Sequence, residues 1–225
     1  MLKSFRRFPA ILPLQLLMGQ LIILAERRAD RSRAAGARGR PTFFFDLSDP
    51  FSYLVAERIE RVLGQVDWVP TGGTVLRDGE RWQDPAGLRA HAETCAVALR
   101  LPLVWPEHFP GETPAALRAA AYAAEIGAGG RFALAASRLA FCGGFDVEDP
   151  EILAEAAAAA GLGLQETLAA AGDLTRDGAL HATARGLLNQ GVRSLPAIKV
   201  GDHWFDGDGA LAAAAACQRS SLAVG

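Results

Sequence analysis

The chain has 225 residues, half of them apolar, which is enough for one sizeable core. Its net charge of −2 is uneven: residues 1–40 hold nine Lys/Arg against two acids (+7), and the rest holds 14 against 23 (−9). An acidic body argues against a nucleic-acid surface. Three cysteines (Cys95, Cys142 and Cys217), odd in number and in no CxxC pair, argue for a reducing compartment without a disulfide framework.

Residues 1–40 read as a basic, apolar leader and a disordered linker. Lys3, Arg6 and Arg7 precede an apolar run from Phe8 to Ala25 that Pro9, Pro13, Gln15 and Gln20 interrupt. A signal sequence, a signal anchor, a surface helix and a dispensable extension all stay open. No A-x-A-like cleavage site follows, and the run falls short of the ~20 clean apolar residues of a spanning helix. Six arginines between Arg27 and Arg40 favour the cytoplasmic side. The expectation is a cytoplasmic protein whose membrane contact, if any, runs through residues 1–25.

Thr42–Leu47 reads as a buried strand. Ser48-Asp49-Pro50 turns the chain into a helix from Pro50 to about Leu63, with Leu54, Val55, Ile59, Val62 and Leu63 at helical spacing. A strand feeding a capped helix aims the first free backbone N–H groups at one point, which suits an anion. Asp49 before Pro50 is also an ordinary N-cap with proline at the first helical position. Val66–Pro70 reads as a second strand, parallel to the first. Helices follow: one opened by Asp84-Pro85, one capped by Thr113-Pro114, one from Gly130 to Phe141, one opened by Asp149-Pro150, a short one over Leu164–Ala171, and a long one over Thr175–Asn189. Leu101–Pro110 is a proline-punctuated loop. Leu195–Val200 and His203–Phe205 form a hairpin about Gly201-Asp202, and Asp206-Gly207-Asp208-Gly209 opens a last helix.

The order βαβ, helical block, αββα resembles thioredoxin-like proteins of the DsbA type. More narrowly it resembles 2-hydroxychromene-2-carboxylate isomerases and kappa-class glutathione transferases, over about residues 42–217. Phe45-Asp46-Leu47-Ser48-Asp49-Pro50-Phe51-Ser52-Tyr53-Leu54, Leu101-Pro102 through Phe109-Pro110, Asp149-Pro150-Glu151-Ile152-Leu153 and Gly191-Val192-Arg193-Ser194-Leu195-Pro196 carry the resemblance. It implies an α/β, thioredoxin-like domain from residues 41–83 and 175–220, with residues 84–174 as an inserted helical domain. It further implies a homodimer that binds glutathione and a small aromatic substrate and works as an isomerase or transferase. A catalytically retired ligand- or peptide-binding domain is the alternative. Without a CxxC pair, disulfide oxidoreductase activity is not expected.

In family terms a serine hydroxyl at the helix start holds the glutathione thiolate. Ser48, Asp49 and Ser52 are the residues at that place, and Asp49 aligns with the family's serine. A carboxylate there repels a thiolate. Leu195, before a Pro196 expected to be cis, would pair with the cysteinyl backbone. Asp208, with Gly207 beside it, matches the aspartate that holds the γ-glutamyl ammonium, and either Asp206 or Asp208 would equally serve as a plain N-cap. The family's Arg after that aspartate is Gly209 here. His91 and Cys95, four apart, are spaced like metal ligands but lack a third partner, so they read as a surface histidine and a core cysteine, and no metal is expected. His108 reads as a surface residue on the loop that overhangs the site.

Overall fold

A computed structural model describes residues 39–72, 76 and 80–223. The readings made for residues 1–38 lie outside the described residues. Strand β1 (Thr42–Phe45) is the centre of a four-stranded sheet ordered β2-β1-β3-β4, with β2 at Asp67–Pro70, β3 at Ala197–Val200 and β4 at His203–Asp206. β2 runs parallel to β1; β3 is antiparallel to β1 and β4 antiparallel to β3. The aromatic run makes β1 two-sided, because successive strand residues face opposite ways. Phe43 and Phe45 are buried on one face, where Trp68 of β2 meets both rings edge-on at 5.1 and 5.9 Å. Phe44 faces the other way, against Trp204 of β4 and a smaller cluster of Leu187, Val192, Leu195 and Ala197.

The expected first helix is broken. Helix α1 covers Pro50–Ala56 and α2 covers Ile59–Leu63, with Glu57 and Arg58 between them. Glu57 is held from outside: Arg138 clamps its carboxylate with two bonds of 2.6 and 2.8 Å. The chain re-enters helix at Ile59, and Gly64 closes α2 with a left-handed-side φ of 84°.

Helices α3 (Glu80–Gln83) and α4 (Pro85–Leu99) follow, then α5 (Pro114–Glu125), α6 (Gly129–Phe141), α7 (Pro150–Ala160), α8 (Leu164–Gly172) and, after a 3-10 turn at Leu174–Arg176, α9 (Asp177–Asn189). The hairpin β3–β4 leads into α10 (Ala210–Ala223). Three helices start on Asp-Pro. Asp49, Asp84 and Asp149 each accept a backbone N–H of the first turn, while the proline supplies a position that needs no donor. Alanine does the packing between helices. Ala116, Ala119, Ala120 and Ala123 of α5 and Ala133 and Ala136 of α6 are wholly buried, and short side chains let the helix axes approach closely. The buried Arg118 of α5 ties three helices, donating to the Ala171 carbonyl at 2.6 Å and to Asp177 at 3.1 Å. No helix among the described residues is long and apolar enough to cross a membrane.

Candidate functional site

The site is built where β1 turns into α1. β1 stops at Phe45, two residues earlier than the sequence suggests, because Asp46 and Leu47 are drawn into the turn. The Asp46 carboxylate accepts the Ser48 N–H at 2.9 Å and the Ser48 hydroxyl at 2.6 Å, a local turn that competes with the ladder. Asp49 then caps α1. Its carboxylate accepts the N–H of Phe51 at 3.4 Å and of Ser52 at 2.9 Å, and the Ser52 hydroxyl at 2.8 Å. Ser52 Oγ in turn accepts the Asp46 N–H at 3.3 Å. All four polar residues are buried.

The three catalytic candidates, Ser48, Asp49 and Ser52, thus stand together as expected, but their bonding differs from the expectation. The leading N–H groups of α1 reach the chain's own Asp49 carboxylate, and both hydroxyls donate to carboxylates. An aspartate at an N-cap has its acceptor at the right height to take these donors itself.

The cis bond expected at Leu195-Pro196 is present, and a second lies at Phe109-Pro110. The cis bond immediately precedes β3, whose first residue Ala197 pairs with Phe44 of β1. Asp206 holds the approach to Pro196. Its Oδ2 accepts the N–H groups of Arg193 and Ser194 at 2.7 and 3.1 Å, so it is a brace for this loop rather than an N-cap. Gly207 donates its N–H to the Pro196 carbonyl at 2.9 Å. With φ at 76° and Ser194 Oγ 3.3 Å from where a Cβ would stand, it is a position for glycine.

Asp208 sits beyond Gly207. Its Oδ2 lies 2.6 Å from His91 Nε2, and the His91 ring lies 5.3 Å from the ring of Phe51 in the first turn of α1. So His91 joins the first turn of α1 to the segment after β4, a bridge that no local pattern announced. Cys95 Sγ is 3.9 Å from the same nitrogen.

A mostly apolar cavity of about 90 Å³ opens beside the turn. Leu47 and Ser48 form one wall; Phe109, Phe141, Phe145 and Val147 form others; Thr113 and Glu148 also line it. The expected Thr113 cap on α5 does not form. Glu148, more than thirty residues away in sequence, takes that role and accepts the N–H groups of Ala115 and Ala116 at 3.2 and 3.0 Å. Burial pushes the Glu148 carboxyl above its ordinary range, against these bonds and the Arg118 charge, which pull it down. The Thr113 hydroxyl is left buried, with no hydrogen-bond partner among the described residues. Behind the cavity, the Tyr53 hydroxyl donates to the Pro102 carbonyl at 2.8 Å and lies 3.2 Å from Cys142 Sγ. Burial and that thiol push the phenol far above its ordinary value. His108 is a surface residue at the cavity's edge, as the sequence suggests, 3.5 Å from Asp146.

Comparison with solved structures gives three informative likenesses. A 2-hydroxychromene-2-carboxylate isomerase superposes with a TM-score of 0.66 at 14% identity, covering 82% of this chain and 98% of that one. A protein described as a probable DsbA oxidoreductase, from Streptomyces coelicolor, gives 0.66 at 19% identity, covering 82% and 90%. The fold is DsbA-type thioredoxin. The cytosolic disulfide reductase DsbM of Pseudomonas aeruginosa, solved with GSH, has the same fold at a TM-score of 0.60 and 17% identity, covering 81% and 98%. Neither a family model nor a curated protein matches this chain. At this identity the likeness extends to the DsbA-type frame, with its helical block between the βαβ and αββα halves.

Proposed function

We propose that this protein is a glutathione-dependent isomerase or transferase acting on small aromatic compounds. The observation that carries this reading is the apolar cavity against the α1 turn, walled by phenylalanines and lined by Ser48. In this reading glutathione lies along the Leu195-Pro196 edge, its backbone pairing with that of Leu195 and its ammonium meeting Asp208 beyond Gly207. Ser48 turns its hydroxyl from Asp46 to the sulfur. Ser52, bonded on both sides to Asp49 and Asp46, positions the turn. The thiolate adds to a conjugated carbon of the substrate, the former double bond rotates, and elimination returns the thiolate.

The test is thermal stabilisation of the protein by glutathione and by S-aryl glutathiones. Ligand at 100 times Kd should stabilise by about 2.7 kcal/mol, the aryl conjugates more strongly because they also fill the cavity. No detectable affinity at millimolar glutathione would remove the proposal. Asp49 favours a second reading, a retired domain that binds a peptide or non-thiol ligand in the same groove, because a carboxylate already takes the α1 N–H groups. There Asp49→Ser would create glutathione affinity that the parent lacks. If the same change destroys an existing activity, the second reading fails.

A further inference from the structure

His91 and Cys95 are four residues apart on α4, so they rise from one face of that helix. Asp208, 117 positions from His91, comes to them from the β4–α10 connection. The ligand atoms of all three lie within 4.8 Å of one another.

Two chemistries use a cysteine, a histidine and an aspartate together. A nucleophilic triad needs both imidazole nitrogens, one toward the thiol and one toward the carboxylate. Here Sγ and Oδ2 both approach Nε2, at 3.9 and 2.6 Å. One nitrogen cannot serve both partners in that relay. Metal ligation asks instead that the three donor atoms lie close enough to share one centre, and they lie within 4.8 Å of one another. In tetrahedral zinc geometry the sulfur–nitrogen separation is about 3.6 Å and the nitrogen–oxygen separation about 3.3 Å. The observed sulfur–nitrogen distance is already close to that. The His91–Asp208 pair has only to open by several tenths of an ångström, which two half-exposed side chains can do (50% and 46%).

We propose that His91, Cys95 and Asp208 bind one thiophilic divalent cation of the zinc class, with a fourth position open to solvent. Thiolate, imidazole and carboxylate together select zinc or cobalt over magnesium and calcium, which take all-oxygen sets. On binding, the Cys95 thiol loses its proton to buffer and its sulfur bonds the cation. The Phe51 ring, packed at 5.3 Å against the imidazole, restrains His91. The site ties α4 to the C-terminal hairpin, and it needs no glutathione. It does claim Asp208, so cation and glutathione ammonium compete for one carboxylate.

The experiment uses the 225-residue protein, stripped with chelator, freed of it, and kept reduced by a phosphine. Titration with cobalt(II) should saturate at one equivalent with a thiolate-to-cobalt charge-transfer band and the intense visible bands of tetrahedral cobalt, all abolished by excess zinc. Cys95→Ser should remove the charge-transfer band, and His91→Ala and Asp208→Asn should each weaken binding by at least about tenfold. Joint Cys142→Ser and Cys217→Ser substitution should leave the titration unchanged. Zinc should raise the melting temperature of the parent and not that of Cys95→Ser. A parent without saturable cobalt uptake, or a band that survives Cys95→Ser, overturns the proposal. Loss of cobalt binding with glutathione affinity intact would count against the cation alone; the reverse would count against the glutathione reading alone.

Discussion

Asp49, Ser48 and Ser52 sit in one buried, hydrogen-bonded turn at the start of α1. An N-cap aspartate accepts N–H groups that would otherwise meet a ligand, and its charge opposes a thiolate. Ser48 and Ser52 differ in kind. Ser48 lines the cavity, whereas Ser52 is bonded within the turn on both sides. Both hydroxyls donate to carboxylates, so Ser48→Ala and Ser52→Ala should each cost about 1 kcal/mol of stability, read by urea unfolding. On the proposed function, Ser48→Ala should in addition lower glutathione-dependent turnover by about 100-fold, the cost of one oriented donor. Equal loss of turnover in the two variants would show that the hydroxyls are not divided in this way. Glu148 carries a pH signature. Its carboxyl is raised in the folded chain, so its contribution to stability is present below the ordinary carboxylate range and is lost as pH rises through the raised value. Melting temperatures of Glu148→Gln and the parent, followed upward from mildly acidic pH, should converge or cross in favour of the variant. A constant difference would refute that role. His91, Cys95 and Asp208 were each visible as residue types, but their meeting was not.

Helix starts were the most legible elements. Asp-Pro at 49–50, 84–85 and 149–150 announced three of them, because an N-cap is a contact between near neighbours in sequence. Asp149→Ala should cost about 1 kcal/mol, as a cap alone does. Asp49→Ala should cost more than that, because it also leaves the Ser52 hydroxyl without its acceptor; unfolding free energies of the pair decide it. The Thr113-Pro114 start misled at its cap, since Glu148 reaches that helix end from a loop more than thirty residues on. The break between α1 and α2 was likewise hidden. The pattern of Leu54, Val55, Ile59, Val62 and Leu63 is helical throughout, and the Glu57–Arg138 clamp that accompanies the break spans 81 positions. At the start of α6, Gly130 lies so close to β2 that a Cβ would stand 2.6 Å from Trp68 Nε1. Gly130→Ala should destabilise by about 1–3 kcal/mol despite alanine's helix propensity. A stabilised variant would mean that the Trp68 ring moves aside.

At the scale of the whole molecule, the βαβ half and the αββα half close one sheet around β1, and the helical block packs over the face that carries Phe43 and Phe45. That arrangement brings Asp208 within reach of α4. It also forms the cavity from three separate stretches: the α1 turn, the 106–113 loop and the 140–148 segment. If the cavity is the substrate site, S-aryl glutathiones should protect the Phe109 and Phe145 loops from proteolysis while glutathione alone should not.

The Asp-Pro caps and most of the order of elements were determined by the sequence, because each rests on neighbours within a few residues or on the period of one element; the cis proline came from the family resemblance. The direction of the Asp49 carboxylate was half-determined: its cap was readable, but the capture of the Ser52 hydroxyl was not, since two roles competed for one side chain. Only the tertiary structure decided the His91–Cys95–Asp208 cluster, the Glu148 cap and the cavity. Each joins residues from about thirty to over a hundred positions apart, and contacts of that range depend on how the sheet and helices close on each other, which no local pattern encodes.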